Sequence, residues 1–251
     1  MKSIKKILLI LTVAMSLVAC KNSNESAKKT VDWAGVYTNI LPCADCEGIV
    51  TTIELMNDQT YKMFVNYLGE NDDVSYSYSG TFNWGKNENQ IILKIDNNSH
   101  SAPNQYIVKE NELIQLDMND KKITDSNFDY SLEKVSNLID KKWMLTEMNG
   151  KKIEIKNDFL KQPQITINSE YKVNGVGICN NFFGKTYIRS GNKITFPNIA
   201  STMMACLQMM DVEQEFFASL DKVEKYSITN NNTLNLYSDN DKLLLTFILN
   251  E

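Results

Sequence analysis

The chain has 251 residues, a formal net charge of −5 and one histidine. An acidic balance argues against a binder of nucleic acid, which rewards basic surfaces. The single histidine sits in the polar run Asn97-Asn98-Ser99-His100-Ser101, which supports neither a Ser-His-Asp nor a Cys-His centre.

The N-terminus opens with Lys2, Lys5 and Lys6, and an apolar run follows from Ile7 to Val18. At about 12 residues this run is too short to span a bilayer as a helix. A basic start, a short apolar stretch and small residues before a cut describe a secretory signal over residues 1–19. Leu17-Val18-Ala19-Cys20 resembles the cut site of a bacterial lipoprotein, so Cys20 is the expected lipidation site and first mature residue. Several acyl chains on that residue give durable membrane anchoring. Lys21 follows Cys20 where an aspartate would signal retention, which favours the outer membrane of a Gram-negative envelope. Residues 20–31 read as a lipidated polar tether without fixed structure. Loss of residues 1–19 removes three lysines and no acids, moving the net charge from −5 to −8.

From Trp33 to about Val135 the pattern has period two. Ile49, Thr51, Ile53 and Leu55 share one strand face, and Tyr61, Met63, Val65 and Tyr67 share the next after a turn at Asn57-Asp58-Gln59. Tyr76, Tyr78, Gly80 and Phe82 continue the series, followed by runs at Ile91–Ile95, Tyr106–Val108, Leu113–Leu116 and Phe128–Leu132. Short alternating strands separated by Asn, Asp, Gly and Ser clusters predict an all-β sandwich or barrel. Trp33, Trp84 and the tyrosines read as core and rim residues.

Cys43 and Cys46 stand in Pro42-Cys43-Ala44-Asp45-Cys46-Glu47-Gly48. A thioredoxin-type pair is followed by a helix whose N-terminus lowers a thiol pKa. Here β-branched Ile49-Val50-Thr51-Thr52-Ile53 follows, and Asp45 and Glu47 add negative charge, so a catalytic thiol is disfavoured. A structural disulfide and a redox- or metal-responsive pair both remain open. Reduced, Cys43 and Cys46 are candidate ligands for Cu(I), the common biological metal that thiolates suit best. An exported compartment permits disulfides, and proximity favours Cys43–Cys46 and Cys179–Cys206.

Val135–Asp140 is a candidate joint between two domains. Beyond it, strands are predicted at Trp143–Leu145, before an Asn149-Gly150 turn, and at Ile165–Ile167, Lys193–Phe196, Leu234–Tyr237 and Leu243–Phe247. One helix is predicted over Asp211–Val223, with Val212, Phe216, Leu220 and Val223 on its apolar face. Asp211 is its expected cap, and Gln214 completes a capping box. Met203, Met204, Cys206, Met209 and Met210 form a sulfur-rich run that reads as core filling, with Cu(I) as the sharper alternative.

Two resemblances rest on these residues. Trp33-Ala34-Gly35-Val36-Tyr37 with Leu41–Ile49, Thr51, Leu55, Asp58 and Tyr61 resembles the N-terminal domain of the NlpE family over residues 32–135. That family comprises envelope lipoproteins tied to copper resistance and stress sensing. The resemblance implies a small lipocalin-like β-barrel with Cys43 and Cys46 as its signature pair. Trp143–Leu145, Gly175–Gly184, Thr202–Cys206 and Asp211–Phe217 resemble the META domain, the HslJ-like module, over residues 138–251. This implies a small α+β domain with one main helix. The sequence departs from the META pattern at Ile178, where glycine is usual, and at Met203, where arginine is common.

The expected function is therefore non-enzymatic: an envelope lipoprotein that serves copper homeostasis or senses redox or envelope stress through Cys43 and Cys46, with a stress-signalling sensor as partner. The alternative is a lipocalin-like binder of a small apolar ligand, or a factor assisting envelope protein folding, with purely structural disulfides.

Overall fold

A computed structural model describes residues 26–69, 74–85, 88–95, 103–124, 127–155, 160–205 and 209–250. The signal run, Cys20, His100 and Cys206 lie outside the described residues.

The first eight strands are β1 (Gly35–Leu41), β2 (Gly48–Leu55), β3 (Thr60–Leu68), β4 (Val74–Trp84), β5 (Gln90–Leu93), β6 (Gln105–Lys109), β7 (Glu112–Gln115) and β8 (Ser131–Lys134). They form a closed barrel in sequence order. β8 returns to β1 through Tyr37↔Lys134 and Thr38↔Glu133, which leaves no free edge in the barrel. The period-two faces turn inward. Tyr37, Ile53, Ile91, Tyr106, Leu113 and Leu132 are fully buried and fill the lumen, with Leu55, Tyr61, Met63 and Val65 close behind. Trp33 meets Phe82 and Trp84 edge to face, with ring centroids 5.7 and 5.5 Å apart. The last barrel strand starts later than its sequence pattern suggests. Asp129 receives the Ser131 N–H and hydroxyl at 2.9 and 2.6 Å, and Phe128 is left exposed.

The described end of the expected tether is structured. Helix α1 (Ala27–Thr30) sits on the barrel, where Ala27 donates its N–H to Asn89 Oδ1 at 2.6 Å and Ser26 its hydroxyl to Glu88 Oε2 at 2.7 Å. Composition alone hides these long-range partners.

The second half contributes β9 (Lys142–Met148), β10 (Lys151–Lys152), β11 (Gln164–Ile167), β12 (Lys172–Val176), β13 (Asn181–Lys185), β14 (Tyr187–Arg189), β15 (Lys193–Thr195), β16 (Ala200–Ser201), β17 (Lys225–Thr229), β18 (Thr233–Tyr237) and β19 (Leu243–Leu249). They form one antiparallel sheet in the order β14-β15-β17-β18-β19-β9-β11-β12-β13-β16, with β10 paired to β9. Helix α2 (Met210–Leu220) packs on it through Phe216 and Leu220. The helix starts one residue before Asp211, and Met209 occupies the cap without a side-chain hydrogen bond. The expected capping box does not form, and Asp211 instead places a carboxylate in the first turn, where the helix dipole favours it.

Three apolar residues of the segment expected as a joint are buried. Val135, Leu138 and Ile139 are at most 5% exposed, and the Leu138 carbonyl accepts the Trp143 indole N–H at 3.2 Å. The cause lies on the barrel. The outward face of β1, β2 and β3 carries Val36, Val50 and Leu68, and these belong to the same apolar cluster as Leu145, Ile165, Ile188 and Phe247 of the second sheet, with Ile40 packed against it. The β1–β2 hairpin is thus covered on both faces, by the lumen within and by the second sheet without.

Candidate functional site

The hairpin that docks the second sheet ends in the cysteine turn. β1 and β2 pair continuously from Gly35↔Leu55 to Leu41↔Ile49, so the turn is held at its base by a full ladder. Cys43 and Cys46 form a disulfide across it, with their Cα atoms 5.3 Å apart. Both cysteines are half-buried, while Ala44, Asp45 and Glu47 are exposed. Glu47 donates its N–H to the Leu68 carbonyl at 3.1 Å, which ties the turn to the end of β3. Gly48 lies so close to Ile40 that a Cβ there would stand 2.6 Å from Ile40 Cγ2.

The electrostatics match this geometry. A strand leaves the turn, so no helix dipole favours a thiolate. The Asp45 and Glu47 carboxylates oppose one as well. The turn can exchange electrons as a dithiol–disulfide pair. As a disulfide it presents no thiolate to a metal. Reduced, it offers two soft donors of the kind Cu(I) takes. Among the described residues, no group of three or more His, Cys, Asp or Glu side chains is arranged to hold a metal ion.

A second polar centre sits in the other half and was missed in the sequence. Glu213, 3% exposed, takes three backbone N–H bonds on Oε1: Ile178 at 2.7 Å, Cys179 at 2.9 Å and Asn180 at 2.8 Å. Asn180 Nδ2 donates to Glu213 Oε2 at 2.5 Å. Burial pushes the Glu213 carboxyl upward, but the bonds from Asn180, Ile178 and Cys179 outweigh it and hold the pKa below the ordinary glutamate value. Asn180 in turn fixes the next loop, accepting the Met204 N–H at 2.7 Å and the Thr202 hydroxyl at 2.8 Å and donating to the Met204 carbonyl at 3.1 Å. Cys179, in the loop that Glu213 holds, is disulfide-bonded. One signal for this hub was legible: Glu213 shares the buried stripe of α2 with Phe216 and Leu220, at spacings of three and seven.

Met203 and Met204 are 98% and 62% exposed, so the core-filling role expected of them does not hold. The loop runs over the surface because Asn180 clamps its backbone.

The two halves also meet through polar groups. Asn39 accepts the Ser190 N–H on Oδ1 at 3.2 Å, and its Nδ2 donates to the Ser190 hydroxyl at 2.9 Å. Ser190 Oγ donates to Asp129 at 2.8 Å, and Gly191 donates its N–H to Glu133 at 3.0 Å. Tyr171 and Thr38 share a hydroxyl hydrogen bond across the same seam.

Residues 37–126 match the family model of the NlpE N-terminal domain, and residues 136–250 match that of the META domain. The first match falls on the closed barrel and the second on the curled sheet. Cys43 and Cys46 lie within the NlpE match, and Cys179 and Glu213 within the META match. Lipoprotein NlpE of Escherichia coli (strain K12) is 36% identical over 101 residues, which cover 40% of this chain and 39% of that relative. A solved protein from Shewanella oneidensis is 35% identical, covers 44% of this chain and 95% of its own, and superposes with a TM-score of 0.38. The crystal structure of the Cpx pathway activator NlpE from Escherichia coli covers 86% of this chain and 91% of its own at 20% identity, with a TM-score of 0.32. Among the described residues, no helix is long and apolar enough to cross a membrane.

Proposed function

We propose that this chain is a non-enzymatic lipoprotein of the cell envelope, anchored through Cys20, that senses redox or copper stress through Cys43 and Cys46. The observation that carries the reading is the disulfide in a partly exposed turn at the tip of the central hairpin. A dithiol reductant attacks one sulfur through its thiolate and forms a mixed disulfide. Its second thiolate then resolves that bond, leaving Cys43 and Cys46 as two thiols and the reductant as a disulfide. Reduced, the two sulfurs would hold Cu(I) as soft ligands. The name of the Escherichia coli relative, a lipoprotein and Cpx pathway activator, supports an envelope stress role.

The test is the double variant Cys43→Ser, Cys46→Ser, expressed at wild-type level in cells challenged with copper or an envelope reductant. Loss of the stress response or of copper tolerance is expected. A response equal to wild type sinks the proposal.

The alternative of an apolar-ligand barrel has less support. Such a ligand would have to displace Tyr37, Tyr106, Ile53 and Leu132, which fill the lumen with no exposed surface.

A further inference from the structure

Both ends of the cystine turn rest on the residues that dock the META module. Gly48 closes the turn against Ile40, with no space for a Cβ between them. Glu47 closes it against the Leu68 carbonyl. Leu68 and Val50 are members of the apolar cluster that continues into the META sheet, and Ile40 packs against that cluster. Asn39, next in the chain to Ile40, holds Ser190 by two hydrogen bonds, and Thr38 bonds Tyr171. Along β1, Val36, Thr38 and Ile40 face the seam, Tyr37 fills the lumen and Asn39 reaches across to Ser190, and the strand runs straight into the disulfide.

We infer that the Cys43–Cys46 disulfide controls how firmly the META module docks on the barrel. This rests on the reading of the pair as redox-active. The disulfide pins the short turn that fixes Gly48 and Glu47 against Ile40 and Leu68. Reduction by a dithiol yields two thiols and frees the turn, so Ile40 and Leu68 lose their outer support. The seam next to them is polar and exposed in part, at Ser190, Gly191 and Glu133, and it opens before either core does. The output of the redox event is thus the META face now covered by the barrel, rather than a change at the sulfurs alone.

Ser190 and Gly191 supply the readout, because their amides donate across the seam to Asn39 and Glu133. Amide hydrogen exchange is measured on the full chain in three forms: oxidised wild type, Cys43→Ser with Cys46→Ser, and Ile40→Ala. The serine variant keeps the Cys179 disulfide, so it isolates the first pair. Exchange at Ser190 and Gly191 is expected to rise about tenfold in the serine variant, with the β18–β19 ladder unchanged. Ile40→Ala, with no free thiol at Cys43 or Cys46, is expected to do the same. Unchanged exchange at Ser190 and Gly191 in either variant overturns the inference, as does an equal rise in the β18–β19 ladder, which would mean global loosening. The stress assay is independent of this readout: lost signalling with an unmoved seam spares the sensor and removes the coupling, whereas a loosened seam with intact signalling does the reverse.

Discussion

The Oε1 atom of Glu213 lies 2.9 Å from the Cys179 backbone nitrogen and accepts its hydrogen. The same oxygen serves the N–H groups on either side, so one side chain of α2 organises the whole loop. Glu213→Gln keeps the shape but removes the charge and points an amide at donors. Hydrogen bonds to a charged group each contribute about 1.5–3 kcal/mol. Loss of stability is expected at about 2 kcal/mol or more, read as a lower denaturant midpoint with an unchanged slope. A midpoint equal to wild type would remove Glu213 from this role.

The same carboxylate sets an acid limit. Its folded pKa lies below the ordinary value of 4.5, so the unfolded state binds the proton more readily. Stability from this group is fully present above that ordinary value and is lost as pH falls through the folded pKa. Wild type is expected to lose stability over this acid range more steeply than Glu213→Gln. Parallel curves for the two proteins from pH 6 down to about pH 3 would contradict it.

Tyr171 spans the seam with one hydroxyl, bonded to Thr38 Oγ1 and to the Ile188 carbonyl at 3.3 Å. Burial raises its pKa well above the ordinary tyrosine value, so the hydroxyl remains a donor at neutral pH. In Tyr171→Phe, Thr38 keeps Thr52 Oγ1 at 3.0 Å and the Thr51 carbonyl at 3.1 Å. The loss is therefore expected near the low end for a buried hydrogen bond, about 1 kcal/mol. A fall of more than about 3 kcal/mol in denaturant unfolding would mean that the ring itself had moved.

Alternation made the barrel legible. Ile49, Thr51, Ile53 and Leu55 line the lumen as their spacing required, and Tyr61, Met63, Val65 and Tyr67 do so beside them. The second covered face of β1 and β2 was not legible. Val50 and Thr52 are buried by residues more than eighty positions away, and period two assigns them to solvent. For the same reason the burial of Val135, Leu138 and Ile139 in the joint segment was not legible. In the second half, β12 and β13 escaped because Gly175 and Gly184 weaken the strand pattern. Gly175 is required by packing, since a Cβ there would run into the Gln164 carbonyl oxygen. The cysteine pair was visible in sequence as a motif. Its position at the tip of the docking hairpin was not, because that depends on which face the second sheet covers.

Gly48→Ala tests the contact beneath the disulfide without touching sulfur. The new methyl would stand 2.6 Å from Ile40 Cγ2, a side chain that cannot retreat without disturbing the shared core. Overpacking of this kind costs about 1–3 kcal/mol. Ile40→Ala alone leaves a cavity, whereas the pair Ile40→Ala, Gly48→Ala makes room for the methyl. The double variant is expected to be more stable than the two single losses added together, by about 1 kcal/mol. Thiol titration should find Cys43 and Cys46 oxidised in all three proteins, so the effect is steric. Simple additivity in the cycle would show that Gly48 and Ile40 do not bear on each other, and that the turn is free of the seam.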